Sequence, residues 1–152
     1  MNETDYSLLL AQAKSLTEDV PHFIANLANI AALIYNTLPD INWSGFYLAE
    51  ENELILGPFQ GRPACVVIPW GRGVCGTAAA RDETQLVPNV HEFSGHIACD
   101  SASNSEIVIP LHKYGRVVGV LDIDSPSFSR FSENDKNGLE ALASFLEAVV
   151  FS

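Results

Sequence analysis

The segment from residue 106 to 124 constrains this chain more than any other. Two apolar-rich runs, 106–112 and 116–124, flank the turn Lys113-Tyr114-Gly115, the pattern of a β-hairpin. In the second run Asp122 and Asp124 alternate with Leu121 and Ile123, so the two carboxylates share one side of a strand. Hairpin geometry then sets Glu106, at the start of the first run, near the end that carries Asp124.

Further elements surround this hairpin. Residues 42–49 read as a strand rich in aromatic residues, and Glu51-Asn52 turns it into a second strand over 53–59. Residues 64–69 read as a third strand, and 85–87 as a short one ending at Pro88-Asn89. Helices are expected over 4–14, 21–38 and 73–81. In the second of these Phe23, Leu27, Ile30, Ile34 and Leu38 recur at steps of three and four. A last helix starts at Ser132, where Asp135 three positions on makes a capping box with Asp in place of Glu or Gln. Its apolar stripe is Leu139, Leu142, Phe145, Leu146 and Val149. The polar stretch 89–105 lacks periodicity and is long for a compact domain, and such loops are usually functional or disordered.

The expected architecture is α+β. A central antiparallel sheet carries the N- and C-terminal helices on one face, and a loop-covered ligand pocket lies on the other. Residues 1–152 form one domain, as the length alone suggests.

Composition narrows the partners. A formal net charge of −11, without a cluster of Lys or Arg, disfavours nucleic acid and anionic membrane surfaces. The acidic start Met1-Asn2-Glu3-Thr4-Asp5 does not read as a signal peptide, and no apolar run approaches the length of a spanning helix. The expected location is the cytoplasm, where thiols are kept reduced.

Three cysteines are the chemically suggestive residues. Cys65, Cys75 and Cys99 are ten and twenty-four positions apart, unlike the close pairs of zinc sites, and an odd count does not suit a structural disulfide framework. Either they are buried core residues or they form a redox set. Cys99 sits in a polar loop where His96 could stabilise a thiolate, and Cys75 lies near a helix N-terminus whose dipole does the same. Cys65, read as a strand residue, looks like core. Glu106, Asp122 and Asp124 crowd one rim of the sheet: a solvated strand end, a seat for an ammonium group, or an acid of raised pKa. Trp43 and Tyr47, four apart with Gly45 between them, are either core or the walls of a slot. His22, His91 and His112 form no metal constellation, and the glycine-rich 71–76 lacks the Lys-Ser/Thr of a phosphate loop.

The segments Asn42-Trp-Ser-Gly-Phe-Tyr47, Gly57-Pro-Phe-Gln-Gly61, Gly71-Arg-Gly-Val-Cys-Gly-Thr-Ala78, Val87-Pro-Asn-Val-His91 and Val118-Gly-Val-Leu-Asp-Ile-Asp-Ser125 closely resemble the free methionine-(R)-sulfoxide reductases, which are stand-alone GAF domains. The resemblance spans nearly the whole chain. It implies a thiol-dependent reduction of the free amino acid, with no metal and no organic cofactor. By the same resemblance Cys99 attacks the sulfoxide sulfur, and Cys65 and Cys75 are the family's other two cysteines. The sulfenic acid closes to a disulfide that thioredoxin reduces. Trp43 and Tyr47 match the aromatic wall around the substrate methyl group. Glu106, Asp122 and Asp124 match the carboxylates that hold the amino group and assist protonation of the leaving oxygen. Stand-alone GAF domains often pair through their helices, so a homodimer is compatible with the resemblance.

Which of Cys65 and Cys75 resolves Cys99 stays open, as does the choice between Glu106 and Asp124 as the acid. The rigidity of a strand favours Cys65 as the resolving thiol, leaving Cys75 to pass electrons outward. The competing functions are a sensory GAF module that binds a small effector without chemistry, and a peroxide-sensing thiol protein.

Overall fold

A computed structural model of the chain describes residues 3–95 and 102–152. Among them, helices α1 (Tyr6–Thr17) and α2 (Phe23–Thr37) precede strands β1 (Trp43–Glu50), β2 (Glu53–Gly61) and β3 (Val67–Pro69). Helix α3 (Gly73–Arg81), strand β4 (Gln85–Val87) and a 3-10 turn (Val90–Glu92) come next. Strands β5 (Ser105–Lys113) and β6 (Arg116–Ser125) and helix α4 (Glu133–Val149) complete the fold. The strands form one sheet in the order β3-β2-β1-β6-β5-β4, with every neighbouring pair antiparallel.

Local chemistry explains the boundaries. Asp5 caps α1 by accepting from the Leu8 amide, so the helix begins at Tyr6 and runs to Thr17, past the expected end at Lys14. Ser132 and Asp135 make the expected reciprocal capping box of α4. At the β5–β6 turn Tyr114 and Gly115 both take positive φ, of 53° and 73°, which fits a tight hairpin between right-twisted strands.

The two faces of the sheet bury different chemistry. On one, Phe46, Ile107, Ile109, Leu111, Leu121 and Ile123 meet the apolar sides of α1, α2 and α4. On the other, Trp43, Tyr47, Val108 and Val120 join Val74, Cys75, Ala78 and Ala79 of α3. The terminal helices thus gather on one face, as expected from the sequence.

The third strand departs from expectation. It covers only Val67–Pro69, so Cys65 lies outside it, in the irregular stretch between β2 and β3. Pro63 has no amide to give to a ladder. The carbonyls of Arg62 and Cys65 accept instead from side chains of β1, the Trp43 indole at 3.1 Å and the Tyr47 hydroxyl at 2.9 Å. The Cys65 carbonyl is therefore held by the Tyr47 hydroxyl, and the chain rejoins β2 at Val66, whose carbonyl accepts from the Leu56 amide at 2.9 Å.

Candidate active site

Register arithmetic builds the site. Asp124 of β6 stands opposite both Glu106 of β5 and Trp43 of β1, while Asp122 stands opposite Val108 and Gly45. Residues opposite one another share a face, so Glu106, Asp122 and Asp124 project with Trp43 and Tyr47 toward α3. The hairpin expectation that placed Glu106 beside Asp124 matches this register. All three carboxylates are buried, with 9%, 4% and 9% of their surface exposed.

Helix α3 brings Cys75 to the same place. Its Sγ lies 3.8 Å from Glu106 Oε2, and ligand atoms of Cys75, Glu106 and Asp122 all fall within 4.8 Å of one another. Glu106 and Asp122 make no ion pair among the described residues. Desolvation first, and the neighbouring Asp122 charge second, push the Glu106 carboxyl well above its usual range. Desolvation and then the Asp124 charge do the same to Asp122. Cys75 is likewise pushed up, by burial and then by the surrounding carboxylates. Its place at the start of α3 pointed the other way, toward a stabilised thiolate. A helix terminus contributes at most about 2 kcal/mol, and burial beside three acids outweighs it.

The aromatic wall is larger than the sequence suggested. Trp43 and Tyr47 stack with centroids 5.9 Å apart, and Phe59 of β2 stacks on Trp43 at 5.1 Å. The room left by Gly45 is taken by Phe59, since a Cβ at 45 would lie 2.3 Å from the Phe59 Cβ. Glycine at 45 therefore serves Phe59 rather than an open slot between the two rings. Burial, followed by the charge of Asp122, raises the Tyr47 pKa far above its ordinary value, so its hydroxyl stays a donor to Cys65.

The thiols divide. Cys75 is a free, buried thiol, and Cys65 is disulfide-bonded. Cys99 and its neighbour His96 lie outside the described residues. The chain on either side of that segment is tied to the site's rim. The Gly95 carbonyl accepts from the Gly73 amide at the start of α3. On the far side Asn104 donates its amide to the Ser125 carbonyl, and Ser103 Oγ accepts from the Asn42 side chain. His91, set aside in the sequence reading, lies 2.8 Å from Asn104 Oδ1 at this rim.

His112, also set aside, is held away from the site between two acids. Its ring meets Asp82 through Nε2 and Glu147 through Nδ1, the latter at 2.6 Å. No helix of the described residues is long and apolar enough to cross a membrane.

Comparison with known proteins agrees with this geometry. The GAF domain family matches residues 20–150. The free methionine-R-sulfoxide reductase of Escherichia coli is 54% identical over 99% of this chain and 92% of that protein. The structure of fRMsr of Staphylococcus aureus in complex with substrate superposes with a TM-score of 0.93 at 56% identity, covering 99% of this chain and 98% of that one. That of free methionine-R-sulfoxide reductase from Neisseria meningitidis with its substrate gives 0.93 at 44% identity, over 99% and 93%. A full-length match at this identity, on a fold that buries three acids and a thiol behind an aromatic wall, makes this chain a member of the free methionine-R-sulfoxide reductase family of GAF domains.

Proposed function

We propose that this protein reduces free L-methionine (R)-sulfoxide to methionine. The observation that carries the reading is the buried set Glu106, Asp122 and Asp124, aligned by register beside Trp43 and Tyr47. Burial raises the pKa of Glu106 and Asp122, such buried acids are costly for folding, and a substrate that brings its own ammonium group offsets that cost. Asp122 and its neighbours hold the ammonium, and Trp43 and Tyr47 face the methyl group. An enclosed seat of this kind suits a free amino acid and rejects a residue within a chain.

The chemistry then balances. The Cys99 thiolate attacks the sulfoxide sulfur while an acid, Glu106 or Asp124, protonates the departing oxygen. The oxygen, released as water, then adds to the Cys99 sulfur and breaks the new bond between the two sulfurs, so methionine leaves and Cys99 becomes a sulfenic acid. Cys65 condenses with it, forming a disulfide and releasing water. Thioredoxin, a dithiol donor, returns both thiols and takes the disulfide. Support for Cys65 as the resolving partner is its oxidised state beside the free thiol of Cys75. Cys75 then serves electron transfer or positioning rather than the first closure.

Three measurements test this. Assay of resolved epimers should show turnover of the R form and none of the S form; equal rates would sink the proposal. Cys99→Ser should release no methionine in a single turnover without added reductant. A peptide map of the oxidised protein should give Cys65–Cys99, whereas mainly Cys75–Cys99 would make Cys75 the resolving thiol.

A further inference from the structure

Cys75, Glu106 and Asp122 together offer one sulfur and two carboxylate donors, all within 4.8 Å of one another, with Cys75 and Asp122 buried and Glu106 9% exposed. One further atom points to a ligand here. Asp122 Oδ1 is buried without a hydrogen-bond partner among the described residues, although the residue is only 4% exposed. Native proteins rarely leave such an acceptor unsatisfied. We propose that the reduced, substrate-free protein binds one thiophilic divalent cation, of which Zn²⁺ is the type, through Cys75, Glu106 and Asp122. The ion is an inhibitor rather than a cofactor.

Ligand type and spacing both select this class of ion. Zinc accepts thiolate and carboxylate together, whereas Mg²⁺ and Ca²⁺ require shells of oxygen. Tetrahedral ligands at zinc bond lengths lie about 3.4–3.6 Å apart. The 3.8 Å between Cys75 Sγ and Glu106 Oε2 is already close to that. Three protein ligands leave the fourth position for water, as in open zinc sites.

Charge accounts for the exchange. Binding releases the proton of the Cys75 thiol and any proton on the two carboxyls, so affinity rises with pH. Three ligand charges of −1 against +2 leave −1, where the empty site would carry −3 if fully ionised. The ion takes the place that the substrate ammonium requires, and this competition rests on the function proposed above. The metal site itself does not.

The test is titration of the reduced full-length protein with ZnCl2 by calorimetry, and with CdCl2 to read the ultraviolet band of a sulfur–metal bond. One equivalent should bind. Cys75→Ser should abolish the cadmium band and weaken zinc roughly 100-fold. Asp122→Asn, which keeps shape and removes charge, should weaken zinc roughly tenfold or more with its circular dichroism unchanged. Cys65→Ser should bind like the wild type. Free L-methionine, which carries the same ammonium group, should raise the apparent zinc dissociation constant. Wild-type affinity in Cys75→Ser, or a loss in Cys65→Ser as large as in Cys75→Ser, would overturn the site. If zinc fails to bind while methionine sulfoxide is still reduced, only this inference falls. Zinc binding to a protein that turns over no sulfoxide would instead remove the proposed function and leave the metal site.

Discussion

Leu121 and Asp122 are adjacent on β6, yet they face two different interiors. Leu121 joins a helix-backed interior of aliphatic and aromatic side chains, with none of its surface exposed. Asp122, 4% exposed, sits among acids and a thiol beneath α3. The first face is filled by groups that gain from burial. The second holds, within an apolar cluster of its own, acids and a thiol that lose by it, so the two faces of one sheet bury groups of opposite cost. The lesson is that residue parity on a single strand separates the two roles more sharply than distance does.

The largest effect should come from the stable face. Leu121→Ala should cost about 2–5 kcal/mol in denaturant titration, the usual range for a buried leucine. Turnover per folded molecule, measured well below Tm, should hold. A loss of turnover in molecules that remain folded would break the separation of the faces.

Asp122→Asn should do the reverse. If Asp122 holds the substrate ammonium as proposed, removing its charge should cost about 1.5–3 kcal/mol, seen as a KM raised roughly ten- to hundredfold. Stability should rise. An acid whose folded pKa is raised destabilises the native state progressively as pH climbs from about 4 toward that folded value, and the amide escapes this. At pH 7 a gain of about 2–4 °C in Tm is expected, the shift made by about 1 kcal/mol in a chain of this size. A lower Tm at pH 7 than at pH 4, relative to the wild type, would contradict the sign.

Tyr47→Phe sharpens the picture within the site. It keeps the ring against Trp43 and deletes the bond to the Cys65 carbonyl, worth about 0.5–1.5 kcal/mol. Slower disulfide closure after methionine release, read by trapping the sulfenic acid, is the expected outcome.

The smallest effect belongs to His112. Burial alone lowers its pKa, but the hydrogen bonds its ring donates to Asp82 and Glu147 outweigh it and hold the imidazolium. A raised histidine pKa stabilises fully below about 6.5 and loses that contribution as pH rises through the folded value. His112→Gln should therefore cost under about 1 kcal/mol at pH 6 and progressively less at higher pH, given how exposed the cluster is. A cost that grows with pH would reverse the assignment.

Much of this was legible in the sequence because it was local. The hairpin turn, its parity and its register place three carboxylates at one rim with no knowledge of the rest of the chain. The capping box of α4 is equally local. What escaped depends on distant partners. The run 64–69 looks like a strand because Val66, Val67 and Ile68 favour one. At its start the Cys65 carbonyl is instead taken by the Tyr47 hydroxyl, and only from Val67 does the run become a strand. Phe59 fills the space over Gly45 through strand pairing that β2 alone does not reveal. The partners of His112 lie 30 and 35 positions away, and the contact of Cys75 with Glu106 depends on how α3 is laid on the sheet.

The contact between α1 and α4 has a consequence for where this molecule ends as a physical object. The GAF match opens at residue 20, beyond α1. Yet Tyr6 lies so close over Gly138 that a Cβ there would come within 2.1 Å of its ring, and its hydroxyl donates to Asp135 at 2.5 Å. Leu9 and Ala13 of the same helix are wholly enclosed. A protein cut to its recognisable span would carry an open furrow along α4, sticky toward any apolar surface it met. The leading helix is a stopper fitted to one glycine, and Gly138 is the keyhole that a single methyl group would jam.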